Sequence, residues 1–173
     1  QHGDRRITRI GPNDAREVLA ERYEGKRLNS PNDLVFGPDG ALYFTDPPYG
    51  LPKRWDDPDK ELPFQGVYRR AADGTLTLLV RDLRAPNGIG FAPDGRTMYV
   101  AQSDPANAIW MAYDVLDGGR VGGGRVFASA QKFVAERRGL PDGLKVDRAG
   151  NLFATGPGGV YVFAPDGTHL GTI

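Results

Sequence analysis

Pro31-Asn32-Asp33-Leu34-Val35-Phe36-Gly37-Pro38-Asp39-Gly40 returns at an interval of 55 residues as Pro86-Asn87-Gly88-Ile89-Gly90-Phe91-Ala92-Pro93-Asp94-Gly95. At the same interval again it becomes Pro141-Asp142-Gly143-Leu144-Lys145-Val146-Asp147-Arg148-Ala149-Gly150. Each stretch alternates apolar and other residues with period two, reaches a turn ending in Gly, and leads into a second apolar run at 42–44, 98–101 and 152–154. Alternation, a Gly turn and another run predict a β-hairpin.

Each repeat continues into a second hairpin. Residues 66–69 and 76–80 flank Asp73-Gly74, residues 108–113 and 126–127 flank a Gly-rich segment at 116–124, and residues 159–163 and 169–173 flank Pro165-Asp166-Gly167. Four strands in every repeat predict an all-β protein, a β-propeller built of four-stranded antiparallel blades. A solenoid-like stack or a two-sheet sandwich is the plainer all-β alternative. The blades fall at 31–85, 86–140 and 141–173, and residues 1–30 supply the outer two strands of a preceding blade, at 6–10 and 18–23. That makes one partial propeller domain of about three and a half blades. Only 14–24 and 128–138 leave room for a helical turn.

Composition narrows the function. Lys+Arg and Asp+Glu both number 22, so no net charge draws the chain to nucleic acid or to an anionic membrane. Charged residues at 25% beside 39% hydrophobic ones indicate a folded, soluble chain and not a disordered one. With 24 Gly and 14 Pro, many tight turns are expected. The sequence has no Cys, which excludes disulfides, Cys-ligated zinc, iron–sulfur clusters and thiol catalysis. Its compartment stays open between cytoplasmic and periplasmic or secreted, and its oligomeric state is not legible. No apolar run approaches the ~20 residues of a membrane span. The sequence opens at Gln1 with no signal-peptide pattern and stops at Ile173 inside a β-like stretch, so it is expected to be a piece of a longer protein.

In a propeller the first strand of each blade lines the axis, and the residue before it sits at one mouth of the channel. Those residues are Asn32, Asn87 and Asp142, each preceded by Pro. Ring symmetry aims them at one point, where amide and carboxylate oxygens suit a hard divalent cation such as Ca²⁺, Mg²⁺ or Mn²⁺. The same residues are also turn formers, and both readings stand together. Asp33, just after the first of them, is expected to cap its turn. The segment at 47–63 carries Tyr49, Arg54, Trp55 and the acidic run Asp56-Asp57-Pro58-Asp59. That run lacks the glycine and spacing of an EF-hand loop and reads as a solvated tip.

Other chemistries find no support. Ser30, Ser103 and Ser129 are the only serines, and none sits in a Gly-x-Ser-x-Gly elbow. His2 and His169 are too few for a His-based metal triad, and His2 is expected to make a structural hydrogen bond. Residues 118–124 follow no strand-to-helix pattern, so they read as a hairpin turn and not as a phosphate cradle.

Several of these segments together resemble the senescence marker protein/gluconolactonase family, which includes regucalcin. They are Leu28-Asn29-Ser30-Pro31-Asn32-Asp33-Leu34, Tyr43-Phe44-Thr45-Asp46-Pro47-Pro48-Tyr49-Gly50, Pro86-Asn87-Gly88, Leu140-Pro141-Asp142-Gly143-Leu144 and Ala154-Thr155-Gly156-Pro157-Gly158-Gly159-Val160. The likeness runs from His2-Gly3-Asp4-Arg5-Arg6 onward and is strongest to the bacterial gluconolactonase branch. It implies a six-bladed propeller, of which this chain would be a part, and a metal-dependent lactonase acting on a small sugar lactone such as gluconolactone.

By the same resemblance, Asn87 and Asp142 match two metal ligands, while Asn32 lies beside the metal and contacts its water or the substrate. The third ligand of the family is a Glu in the first blade, upstream of this stretch, so the stretch alone is expected to be weakly active or inactive. The cation would be one divalent ion, Ca²⁺ first, with Zn²⁺, Mg²⁺ or Mn²⁺ as alternatives. It would polarise the lactone carbonyl and acidify a water, with Asp142 and Asn32 as catalytic residues and Asp142 helping to take the water's proton. Asn32, Asp46, Tyr49 and Trp55 are expected to contact the lactone. The rival from another class is a non-catalytic propeller that binds metal or a partner.

Overall fold

The three Gly turns of the repeat close in the same way. The N–H of Gly40, Gly95 and Gly150 donates to the carbonyl of Gly37, Ala92 and Asp147 respectively, and the N–H of those three donates across the turn to Ala41, Thr97 and Asn151, all at 2.9–3.1 Å; the second turn is one residue wider. Gly40, Gly95 and Gly150 all sit at φ between 71° and 88°, a conformation that L side chains rarely adopt. The structure, a computed structural model, describes residues 3–173. The hydrogen bond expected of His2 therefore lies outside the described residues.

Sixteen strands are present among the described residues. A first ribbon pairs β1 (Ile7–Ile10) with β2 (Arg16–Ala20), and a second pairs β3 (Arg22–Tyr23) with β4 (Lys26–Arg27). Three four-stranded antiparallel sheets follow, each joining neighbours in sequence order. The first is β5 (Leu34–Phe36), β6 (Leu42–Asp46), β7 (Gly66–Arg70) and β8 (Leu76–Val80). The second is β9 (Pro86–Phe91), β10 (Thr97–Asp104), β11 (Asn107–Val115) and β12 (Val121–Ser129). The third is β13 (Leu144–Val146), β14 (Leu152–Gly156), β15 (Gly159–Phe163) and β16 (His169–Thr172). This is the all-β propeller architecture, in four-stranded antiparallel blades. No helix among the described residues is long and apolar enough to cross a membrane.

Three local expectations need correction. Residues 18–23 are not one strand: β2 ends at Ala20, and Glu24 and Gly25, both at positive φ, make the tight turn that folds β3 back on β4. The helical turn looked for at 14–24 lies instead at Pro12–Asp14, and two more 3₁₀ turns stand where none was expected, at Arg54–Asp56 and Asp117–Gly119; the one expected within 128–138 is there, at Gln131–Phe133. The third is the glycine run at 122–124, which belongs to β12 and not to the turn before it. A Cβ at Gly124 would lie 2.7 Å from the Tyr113 ring and one at Gly123 2.4 Å from the Asp114 carboxylate. Bare backbone is what lets β12 pass under those side chains.

Alternation on the middle strands explains the cores. Leu42 and Phe44 of β6 face the first ribbon with Ile7, Leu28 and Tyr68, while Tyr43 faces the second sheet with Val67, Ile89 and Met98. On β10, Met98 and Val100 join that same cluster, and Tyr99 and Ala101 point the other way to Trp110, Leu144, Leu152 and Phe163. Each middle strand is thus apolar on both faces because it is buried between two neighbours. Stacked sheets, and not one central core, hold the molecule together.

Candidate functional site

The stacking brings the three repeated positions to one end of the sheets. Backbone hydrogen bonds fix them: Asn32 N–H donates to Thr45 O at 2.9 Å, and Asp142 N–H donates to Thr155 O at 3.1 Å. A chain of side-chain hydrogen bonds then crosses from sheet to sheet. Asn32 Nδ2 donates to Asn87 Oδ1 at 2.5 Å, Asn87 Nδ2 donates to Ser103 Oγ at 2.9 Å, and Ser103 Oγ donates to the carbonyl of Pro141, the neighbour of Asp142. Thr45 Oγ1 adds a bond to Asn87 O at 2.7 Å. Asp33 does more than cap its own turn. One carboxylate oxygen accepts from Leu34 N, and the other accepts from Ile89 N of the next sheet at 3.1 Å.

Asn87 and Asp142 border an open cavity of about 540 Å³, together with Ser103 and, from another segment, Tyr49, Arg54 and Trp55; the Tyr49 hydroxyl also meets Ser103 and Asn87. Asn87 is buried and Asp142 is exposed, so the carboxylate meets solvent in the cavity. Tyr49, Arg54 and Trp55 all stand on the long connection between β6 and β7. Trp55 Nε1 donates to Arg84 O at 3.0 Å, the Arg84 guanidinium lies 4.8 Å from the Trp55 ring centre, and the Tyr49 and Trp55 rings meet edge-on at 6.2 Å. Arg84 is held in turn by the buried Asp104 at 3.3 Å. Arg54, at φ 50°, begins the 3₁₀ turn that carries Trp55.

Burial, with the Asp142 charge adding to it, pushes the Tyr49 hydroxyl up to about 12. Tyr49 is therefore a neutral donor at physiological pH, and it donates to Ala85 O at 3.3 Å.

Two expected members stand apart. Asn32 borders a separate small cavity beside β1, and it reaches the larger one through its bond to Asn87. Asp46 is fully buried and does not line the cavity; its two carboxylate oxygens accept from Asn29 N and Ser30 N at 2.7 and 2.8 Å. The acidic run is also only partly solvated. Asp57 is buried and accepts from Lys53 N and Asp59 N, which keeps its carboxyl below the usual range and staples the loop.

Sequence reasoning missed Ser103 and Arg84. Ser103 was weighed only as a nucleophile, whereas it is a bridge between two mouth loops. Its place at the end of a strand that abuts Asn87 was the signal to follow. His169 lies exposed on the outermost strand beside Thr172 and takes no part. Among the described residues no three His, Cys, Asp or Glu side chains gather as a metal group.

Stacked four-stranded sheets with polar loops joined at one mouth define a β-propeller protein. The chain belongs to the SMP-30/gluconolactonase/LRE-like family, whose model matches residues 3–173. The gluconolactonase of Zymomonas mobilis is 43% identical over 174 residues, which cover 99% of this chain and 49% of that protein. Among solved structures, a gluconolactonase from Xanthomonas campestris superposes with a TM-score of 0.87 at 43% identity, covering 100% of this chain and 56% of its own. A calcium-binding regucalcin from Agrobacterium tumefaciens gives 0.70 at 26% identity, covering 92% and 50%. The chain spans about half the length of the relatives it matches.

Proposed function

We propose that this chain forms part of a lactonase that hydrolyses a small sugar lactone of the gluconolactone type. The observation that carries the reading is one cavity lined by the aromatic Tyr49 and Trp55 and by the oxygen-bearing Asn87 and Asp142. Support comes from the gluconolactonases of Z. mobilis and X. campestris, each 43% identical to this chain. The cavity has the size of an ordinary small-molecule site, which runs from roughly 300 to 1,000 Å³.

The donor chemistry fits a hard divalent cation as a partial shell. Asn87 and Asp142 offer an amide oxygen and a carboxylate oxygen to one cavity, with Asn32 bonded to Asn87. Such oxygens are what Ca²⁺ takes, and the calcium-binding regucalcin shares the fold. Asn87 and Asp142 are the residues that would hold the ion, and Asn32 would stand beside it. When bound, the cation supplies Lewis-acid polarisation of an ester carbonyl and acidifies water.

The chain's own residues supply the rest. Asp142 accepts a proton from the attacking water as oxygen adds to the lactone carbonyl. The ring C–O bond then breaks, and the departing alkoxide takes that proton back from Asp142, which gives the hydroxy acid and restores the carboxylate. Asn32 holds a hydroxyl or water by its amide. Tyr49 and Trp55 bound the sugar ring, and Tyr49 remains protonated with its hydrogen on Ala85 O.

The test is hydrolysis of glucono-lactone followed by pH-stat with the full-length protein, with and without chelator. A rate above background that chelator removes and added Ca²⁺ restores is expected. Asp142→Asn at saturating cation should lower turnover by on the order of 10²–10⁴-fold. The absence of any chelator-sensitive rate would leave a non-catalytic binding propeller, and full turnover in Asp142→Asn would limit that residue to holding the ion.

A further inference from the structure

Asp46 occupies a place that the proposed chemistry does not use. It is fully buried at the end of β6, where an ionised carboxylate is costly. Burial pushes its carboxyl up to about 7, against the pull of two backbone amides and the charges of Arg5 and Lys60. Polar groups gather beside it at the edge of the apolar cluster of Leu28, Phe44 and Leu62. Arg5, itself buried, donates from Nε to Leu28 O at 2.7 Å and to Asn29 O at 3.1 Å, and from Nη1 to Asp59 O at 2.8 Å. Lys60 Nζ donates to Leu62 O. Arg5 Nη2, Asn29 Oδ1 and the Tyr68 hydroxyl are buried there with no hydrogen-bond partner. Apolar packing would be the cheaper way to fill this space, so the arrangement calls for a role.

The hydrogen bonds show what it holds. Asp46 Oδ2 and Oδ1 accept from the amides of Asn29 and Ser30, and Asn29 Nδ2 returns a bond to Asp46 O at 3.0 Å and reaches Phe64 O at 2.9 Å. Ser30 Oγ, fixed by this grip, donates to Pro47 O at 3.0 Å and accepts from Gly50 N at 2.7 Å. One carboxylate thus ties the segment leading to Asn32, which bonds Asn87 of the cavity, to the turn that carries Tyr49 of the same cavity. Asn32 lies two residues beyond Ser30, and Tyr49 lies one before Gly50.

We infer that Asp46 is a positioning residue: its buried carboxylate clamps the Asn29–Ser30 backbone, and through Ser30 the Pro47–Gly50 turn, so that Asn32 and Tyr49 meet the substrate in register. The functional half of this inference rests on the lactonase reading; the clamp itself does not. An amide at position 46 offers one acceptor where two backbone N–H groups need one each, so Asp46→Asn leaves a buried donor unpaired.

The test is hydrogen exchange and steady-state kinetics of wild type and Asp46→Asn in the full-length protein. Exchange protection should fall about tenfold or more in both 28–33 and 47–51 while β10 keeps its own. KM for glucono-lactone should rise about tenfold, since small misplacements of contacting groups carry costs of that order. A lower apparent kcat at unchanged KM is what fewer folded molecules would give, and it overturns the positioning role. Retained protection in either segment overturns the clamp.

If Asp46→Asn does not fold, wild-type exchange decides. The amides of Asn29, Ser30 and Gly50 should then exchange together and more slowly than those of 53–56. Exchange as fast as that loop overturns the clamp. A wild type without lactonase activity refutes the lactonase reading alone, and the exchange arm still decides the clamp.

Discussion

The chain's two tryptophans sit in regions built to opposite rules. Trp110, on β11, is fully buried, with Tyr161 and Phe163 of the next sheet at 5.3 and 5.2 Å between ring centres. Its strand is joined to β10 by a tight turn at Pro105-Ala106, which leaves nothing to vary. Trp55 stands on the corresponding connection of the preceding sheet, which runs through residues 47–65, and its contacts are one backbone carbonyl, one guanidinium and one ring edge. The same connection in two repeats is therefore a two-residue turn in one, beside a strand whose tryptophan packs the sheets, and in the other a long segment whose tryptophan lines the cavity. Sheets repeat because stacking requires it, and the connections between their strands are where the repeats part company.

That contrast breaks most visibly at Trp110. Trp110→Ala opens a large cavity between two sheets and should cost about 3–5 kcal/mol in denaturant unfolding of the full-length protein. A loss under ~1 kcal/mol would mean that the second and third sheets are not held together by this cluster.

The sheets were legible because their signals are local and recur. A Gly turn, a period-two run and a second run three times over give the hairpins, and Leu76–Val80 and Gly159–Phe163 fall where the pattern places them. The strand boundary at Gly122–Gly124 was not legible, because the glycines answer to the Tyr113 and Asp114 side chains across the sheet. Asn32, Asn87 and Asp142 could be picked out by spacing alone. Their linkage through Ser103 could not, because it joins residues up to 38 apart in sequence. Asp46 was placed near the substrate by its neighbours in sequence, yet its side chain turns inward to two amides of another segment. Direction, and not proximity along the chain, decided its role.

A second prediction sharpens the comparison among repeats. Gly88 and Gly143 both follow a mouth residue, but a Cβ at Gly88 would lie 2.3 Å from the Asp142 carbonyl oxygen, while one at Gly143 meets nothing within 4 Å. Gly88→Ala must move the Asp142 backbone and should cost about 1–3 kcal/mol, with reduced lactone turnover. Gly143→Ala should stay within ~0.5 kcal/mol of wild type. Equal effects at the two sites, read by thermal unfolding and pH-stat, would refute the close approach of the second and third sheets at the mouth.

The smallest effect on stability belongs to Trp55. Its indole is partly buried, and its stacking on Arg84 is a contact of the kind worth about 0.5–1 kcal/mol near the surface. Trp55→Ala should therefore leave unfolding within ~1 kcal/mol of wild type. If the long connection is a wall of the substrate cavity, KM for glucono-lactone should rise roughly tenfold, because the ring loses an apolar surface worth about 1.4 kcal/mol of contact. Trp55→Phe keeps a flat face and loses the bond to Arg84 O, so it separates the ring's contact from the loop's anchoring. Recovery of KM in Trp55→Phe would assign the effect to the face; a KM as high as that of Trp55→Ala would assign it to the anchor. An unchanged KM in both would remove the loop from the substrate site, and Trp55 would then be, like Trp110, a packing residue on a longer tether.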